Sequence, residues 1–161
     1  MNRNPLTESE ALSRMAAYCS ASERCSCEVE QKLRQLEQSD EAIQRILLRL
    51  HEEHFIDEER YASAYVNDRF RFSGWGKVKI AQALRLKQIP ASIYQPAIDA
   101  IDDEDYQAAL LKLLKTKWPT VKAPNDYLRH AKLLRFALSR GFSLDDARRC
   151  FSRMGLDDIS D

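Results

Sequence analysis

Apolar residues recur along this chain at helical spacing, and three of the resulting stripes are alike. Ile43, Ile46, Leu47 and Leu50 stand at i, i+3, i+4 and i+7. Tyr94, Ala97, Ile98 and Ile101 repeat the pattern 51 residues on, and Ala147, Cys150, Phe151 and Met154 repeat it after another 53. Each set forms one apolar face of an α-helix. Other positions keep step. Ala17 and Tyr18 match Ala64 and Tyr65 at an offset of 47, as Lys32 and Leu33 match Lys79 and Ile80. Tyr106, Ala109 and Leu110 follow Tyr61, Ala64 and Tyr65 at 45, whereas Lys132 and Leu133 follow Lys79 and Ile80 at 53. The 8-residue difference is an insertion around Pro119 to Pro124. Concordant offsets across several helices predict an internal triplication. The predicted fold is all-α, an elongated array of three tandem three-helix repeats over 6–54, 55–101 and 102–155. Arrays of this kind bury their faces against one another, bind extended partners and seldom house a deep catalytic pocket.

Turn and cap residues fall where this scheme needs them. Thr7 and Glu10 have capping-box spacing, and Ser39 or Asp40, Asp57, Asn125 and Ser143 can each start a helix. Ser73, Gly74 and Gly76 interrupt the chain, while Gly141 and Gly155 lie just past predicted helix ends. No alternating run predicts a strand. Pro96 falls within the third helix of the middle repeat, where it either sits in the first turn or kinks the helix.

Lys plus Arg and Asp plus Glu number 25 each, a balance that argues against tight, indiscriminate DNA binding. Their placement is uneven. Glu28 to Glu59 holds ten acids and four bases, whereas Arg69 to Ile98 holds six bases and no acid: Arg69, Arg71, Lys77, Lys79, Arg85 and Lys87. Lys112 to Arg140 holds eight bases against Asp126 alone. An acidic first repeat and basic later surfaces predict a polarised molecule. Phe70, Phe72 and Trp75 interleave with the middle basic run. Basic grooves lined with aromatic rings hold single-stranded nucleic acid. Phe70 and Phe72 are expected in the core, and Trp75, between two glycines, is expected at the surface.

Candidate chemistry is sparse. Cys25 and Cys27 are too close for a common zinc pair, no second pair follows, and Cys150 lies on an apolar stripe. His51 and His54 share a helix face without a third ligand. Gly74 and Gly76 lack the third glycine and preceding strand of a phosphate-cradling loop, and no nucleophile-elbow pattern occurs. The expectation is a protein without catalytic activity, metal or cofactor. No stretch approaches the roughly 20 apolar residues of a membrane span, and Met1 to Glu8 lacks a signal-peptide core. A cytoplasmic monomer is expected, with its cysteines reduced.

The segment Leu50-His51-Glu52-Glu53-His54-Phe55-Ile56-Asp57-Glu58-Glu59-Arg60-Tyr61-Ala62-Ser63-Ala64-Tyr65-Val66 runs on through Arg69 to Gly74, Gly76, Lys79-Ile80 and Leu84. Over about forty residues it resembles the RecX family, regulatory proteins that act on the RecA recombinase. The resemblance lies in an aromatic and an aliphatic residue before Asp-Glu, then Arg-Tyr-Ala, a glycine-containing turn and a basic-aliphatic helix. It implies three tandem helix-turn-helix-like units and binding within the groove of the RecA–single-stranded DNA filament, with inhibition or modulation of recombination. It also implies that Arg69, Lys77 and Lys79 contact filament or DNA, as do Lys132, Arg135 and Arg140 by their position in the third repeat. This chain departs from the family pattern at Lys87-Gln88, where a Lys-Gly turn is usual, and in its Cys-rich start. Two other readings are a sequence-specific helix-turn-helix transcriptional regulator, which needs an exposed recognition helix and usually a symmetric dimer, and a helical-repeat protein-binding adaptor.

Overall fold

The computed structural model describes residues 6–156. Among these, nine α-helices and one 3-10 turn follow one another without a strand. They are α1 (Glu8–Ala21), α2 (Ser26–Gln35), α3 (Asp40–Glu52), α4 (Glu58–Arg71), α5 (Lys77–Leu86), α6 (Ala91–Asp99), α7 (Asp103–Lys117), α8 (Asp126–Ser139) and α9 (Leu144–Arg153). The 3-10 turn, Trp118–Thr120, lies between α7 and α8, where the sequence predicts an insertion.

Local chemistry starts the helices where the sequence predicts. Thr7 Oγ1 accepts from the Glu10 amide at 3.1 Å, Ser39 Oγ from Ala42 at 3.1 Å and Asp57 Oδ1 from Arg60 at 3.0 Å. Asn125 Oδ1 accepts from Leu128 at 2.8 Å and Ser143 Oγ from Asp146 at 3.1 Å. Each bond takes up one of the amides that a helix start leaves without an intrahelical partner. The first turn of α2 is served from another helix: the Ser26 amide donates to Glu58 Oε1 at 2.9 Å.

Five helix ends share a different solution. After α2, α3 and α5 the chain turns through Glu37, His54 and Gln88 at φ near +60°, and after α8 and α9 through Gly141 and Gly155. In each case the next amide reaches back to close a Schellman-type turn: Gln38 to Leu33 O, Phe55 to Leu50 O, Ile89 to Leu84 O, Phe142 to Ala137 O and Leu156 to Phe151 O. The Lys87-Gln88 turn is therefore built without glycine, in the left-handed conformation that glycine adopts most cheaply. Pro96 is the sixth residue of α6, inside the helix and beyond its first turn.

The described chain forms two compact units. The first takes the chain through Tyr65 together with Leu84–Tyr94; the second takes Val66–Ala83 together with the chain from Gln95 on. In the first, α1 and α2 pack on α3. Ala11, Met15 and Cys19 of α1, Val29 and Leu33 of α2, and Ile43, Ile46 and Leu50 of α3 make one buried cluster closed by Ile56. In the second, α7, α8 and α9 pack on one another around Leu110, Leu114, Leu133, Ala137, Ala147 and Phe151, all buried. The three apolar stripes are the buried faces of α3, α6 and α9; Leu47, Ala97, Ile101 and Met154 lie at their half-buried margins.

Candidate nucleic-acid and filament interface

The α4–α5 turn in the second unit is pinned by its backbone. The Trp75 amide donates to Arg69 O at 2.9 Å, Gly76 to Arg140 O at 2.7 Å and Val78 to Gly141 O at 2.9 Å. The Lys77 amide donates to the Tyr106 hydroxyl at 3.0 Å. Tyr106 is buried between Phe70 and Phe142, with ring centroids 5.8 and 5.2 Å away. Burial pushes its hydroxyl pKa up to about 12 against the opposing effect of the Lys77 amide, so at neutral pH it stays a neutral acceptor. Gly76 must be glycine for this docking: a Cβ there would overlap the Gly141 carbonyl.

On this frame four of the predicted cations gather. The Arg69 guanidinium lies 4.9 Å from the centroid of the Trp75 ring and the Lys79 ammonium 4.5 Å from it. Arg69 also reaches Ser73 Oγ at 3.4 Å. Lys77 lies over the Tyr106 ring at 4.5 Å. Arg71 is exposed, donates to Asn67 Oδ1 at 2.9 Å and stands 5.9 Å from the Phe70 ring. Trp75, expected at the surface, is half-buried beneath its two cations.

The other predicted residues are dispersed. The Arg140 carbonyl joins the turn at Gly76, while its guanidinium lies 5.2 Å from the Phe136 ring, which Lys117 also approaches at 5.0 Å. Arg135 is exposed on α8, and the Lys132 ammonium, also exposed, donates to Lys122 O at 2.6 Å. Arg85 and Lys87 belong to the first unit. Arg85 is exposed, but Lys87 faces an acid, its ammonium 3.7 Å from Glu28 Oε1.

Phe70 and Phe72 part company. Phe70 is buried as expected, but Phe72 is 84% exposed. The expectation of a core Phe72 is therefore wrong, and the reason is helical phase. Ala62, Val66 and Phe70 follow one buried face at intervals of four, whereas Phe72 lies two residues, some 200°, around from Phe70. That signal was present in the sequence. Two further contacts were not visible there. Tyr18 carries Arg24 at 3.9 Å and Lys32 at 5.5 Å over its ring, as Trp75 carries Arg69 and Lys79, and Lys32 and Lys79 are equivalent by the repeat offset. Arg129 lies 3.6 Å over Trp118 and donates to Val121 O at 3.0 Å and Trp118 O at 2.8 Å, stapling the insertion.

Ser26, His51 and Glu58 meet, but not as a nucleophile relay. The Ser26 hydroxyl gives its proton to Glu58 Oε1 at 2.8 Å and accepts from His51 Nε2 at 2.8 Å. The acid holds the serine and not the histidine, so the group is a helix junction. Among the described residues no cluster of three or more His, Cys, Asp and Glu could hold a metal, and no helix is long and apolar enough to cross a membrane.

These features define an all-α protein of three-helix units that presents aromatic rings capped by cations. Residues 57–98 match the family model described as RecX, second three-helix domain, and residues 103–151 match RecX, third three-helix domain. Regulatory protein RecX of Pseudomonas fluorescens is 34% identical over 131 residues, 81% of this chain and 83% of that one. The protein of the same name from Prosthecochloris aestuarii is 28% identical over 145 residues, 90% of this chain and 93% of that one. That from Clostridium perfringens strain SM101 is 32% identical over 120 residues, 73% of this chain but only 56% of its own longer length. The crystal structure of RecX from Lactobacillus salivarius superposes with a TM-score of 0.82 at 24% identity, covering 92% of this chain and 97% of that one, and so shares the fold. The chain belongs to the RecX family.

Proposed function

We propose that this protein is a non-catalytic regulator that binds the RecA–single-stranded DNA filament and inhibits or modulates the recombinase during recombination and DNA repair. It acts as a cytoplasmic monomer without cofactor, built of repeats 6–54, 55–101 and 102–155. The observation that carries this reading is the pair Arg69 and Lys79 over Trp75, with Lys77 over Tyr106 and the exposed Arg71 on the same turn, in a chain of this family. Arg69, Arg71, Lys77 and Lys79 form the main binding surface, with Trp75 as its aromatic floor. Lys132, Arg135 and Arg140 add charge on the same unit. Arg85 offers an exposed cation on the first unit, and Lys87 contributes least because Glu28 already neutralises it. Arg71 is exposed, and Arg69, Lys77 and Lys79 are half-buried beside their rings; binding phosphate requires these three to exchange ring contacts for phosphate contacts. Each phosphate neutralised releases condensed counterions, which makes binding weaken as salt rises. Regulation then follows from occupancy, with no chemistry of its own.

The experiment is DNA-dependent ATP hydrolysis and strand exchange by the cognate recombinase, with filament affinity measured across a salt series. Wild type is expected to lower both activities. The Arg71→Glu/Lys79→Glu double variant is expected to keep its helical content while losing affinity and salt slope. No effect on either activity, together with no filament binding at stoichiometric concentration, overturns the reading. Unchanged affinity and slope in the folded double variant overturn the assignment of this surface.

A further inference from the structure

Phe72 is unexplained by folding. It is 84% exposed, the ring of a large apolar side chain left in water two residues after its buried neighbour Phe70. Nor is it at a loose end. Its amide donates to Asp68 O at 2.9 Å, continuing the helical pattern of α4, and the following turn is tied down at Trp75, Gly76, Lys77 and Val78. The ring is thus presented on a fixed backbone. Arg71 precedes it and Arg69 lies three residues back; Asp68 stands one turn back on the same face, and beyond it no acid occurs between Arg69 and Ile98. The Trp75 ring beside it in the chain is already occupied by Arg69 and Lys79, which leaves Phe72 as the open aromatic face of this turn.

We propose that Phe72 is a base-stacking platform: its ring takes the face of an unpaired nucleobase while Arg71 and the Arg69–Lys79 pair hold the flanking phosphates. An aromatic ring flanked by Arg69 and Arg71, with Asp68 the single acid one turn back, matches a strand that alternates flat bases with phosphates. An apolar pocket on a protein partner would match the ring but leave the charges unanswered. The inference rests on the proposed function only in using the same surface, and it adds that this surface reads exposed bases as well as phosphate charge.

The test compares a single-stranded oligonucleotide with an abasic strand of the same length and charge, by fluorescence anisotropy, using the full chain and its Phe72→Ala, Phe72→Leu and Phe72→Trp variants. Phe72→Ala is expected to weaken binding to the base-bearing strand by about tenfold and to leave binding to the abasic strand unchanged. Phe72→Trp should restore affinity and Phe72→Leu should not, because stacking needs a π-face. All three should melt with wild type, since the side chain is exposed. Equal affinity of wild type and Phe72→Ala for the base-bearing strand overturns the proposal, as does an equal loss on the abasic strand. A loss confined to the recombinase-coated strand overturns it too, by placing the ring against protein. Wild-type filament binding, scored separately, decides the proposed function: if wild type ignores the filament while the base-bearing strand still discriminates Phe72, that reading fails and the stacking platform stands.

Discussion

Gly76 and Gly141 lie backbone against backbone, joined through Gly76 N–H to Arg140 O at 2.7 Å and Val78 N–H to Gly141 O at 2.9 Å. Neither has room for a side chain: a Cβ on Gly76 overlaps the Gly141 carbonyl, and one on Gly141 overlaps Lys79. Because backbone cannot move aside as a flexible side chain can, Gly76→Ala should destabilise the protein by on the order of 3 kcal/mol. Urea denaturation should show the midpoint falling with little change in slope. Gly74, at φ +69° with nothing within 4 Å of the place a Cβ would take, provides the contrast: Gly74→Ala should cost only the left-handed strain, about 1–2 kcal/mol.

Gln88 occupies a left-handed position that a side chain disfavours, at φ +63° and exposed to solvent. Gln88→Gly should therefore raise stability by about 1 kcal/mol. Glu37→Gly, at φ +60°, should give a gain of the same sign. An upward shift of the thermal midpoint for each variant is the measurement.

Glu28 ties acid sensitivity to the first unit. Burial by itself would raise its carboxyl pKa, but hydrogen bonds from Tyr61 and Cys25 and the charge of Lys87 outweigh burial and hold it below the ordinary range. A carboxyl with a lowered folded pKa binds fewer protons folded than unfolded, so stability rises with pH across that interval. The contribution is complete above the unfolded value of about 4.3 and is lost as pH falls through the folded one. Glu28→Gln should be less stable than wild type at neutral pH and should show a flatter loss of stability below about pH 5. Unfolding curves collected from neutral to acid pH would show parallel limbs if Glu28 played no part.

Burial pushes the Cys25 thiol up to about 12, partly opposed by a backbone hydrogen bond involving Glu28, and raises Cys19 and Cys150 as well. The thiolate is the reactive form. Native protein near neutral pH should therefore resist alkylation at Cys25, Cys19 and Cys150, and denaturant should expose all three. Peptide mapping after iodoacetamide treatment reads this directly; rapid native labelling of Cys25 would contradict it.

Helix order and helix starts were legible in the sequence because they are local. Thr7, Ser39, Asp57, Asn125 and Ser143 bond amides three residues away, within reach whatever the rest of the chain does. Glycine-free turns were legible at Gln88 only through comparison with a family pattern; Glu37 and His54 adopt the same conformation without a sequence mark. Charge runs proved a poorer guide to individual side chains. Arg69 and Lys79 stand ten residues apart and meet only because the α4–α5 turn brings both to Trp75. Lys87 lies in the same basic run yet turns to Glu28, 59 residues earlier. Only tertiary folding assigns such cations to a ring, an acid or solvent.

The connection between α7 and α8 is clasped by the helix that follows it. Arg129 covers Trp118 and takes the carbonyls of Trp118 and Val121, and Lys132 takes a third at Lys122. Loop and arginine thus form one structural unit. Trimming the loop would strand a guanidinium, and replacing Arg129 would free two carbonyls and an indole face, so a change at either place is felt at the other.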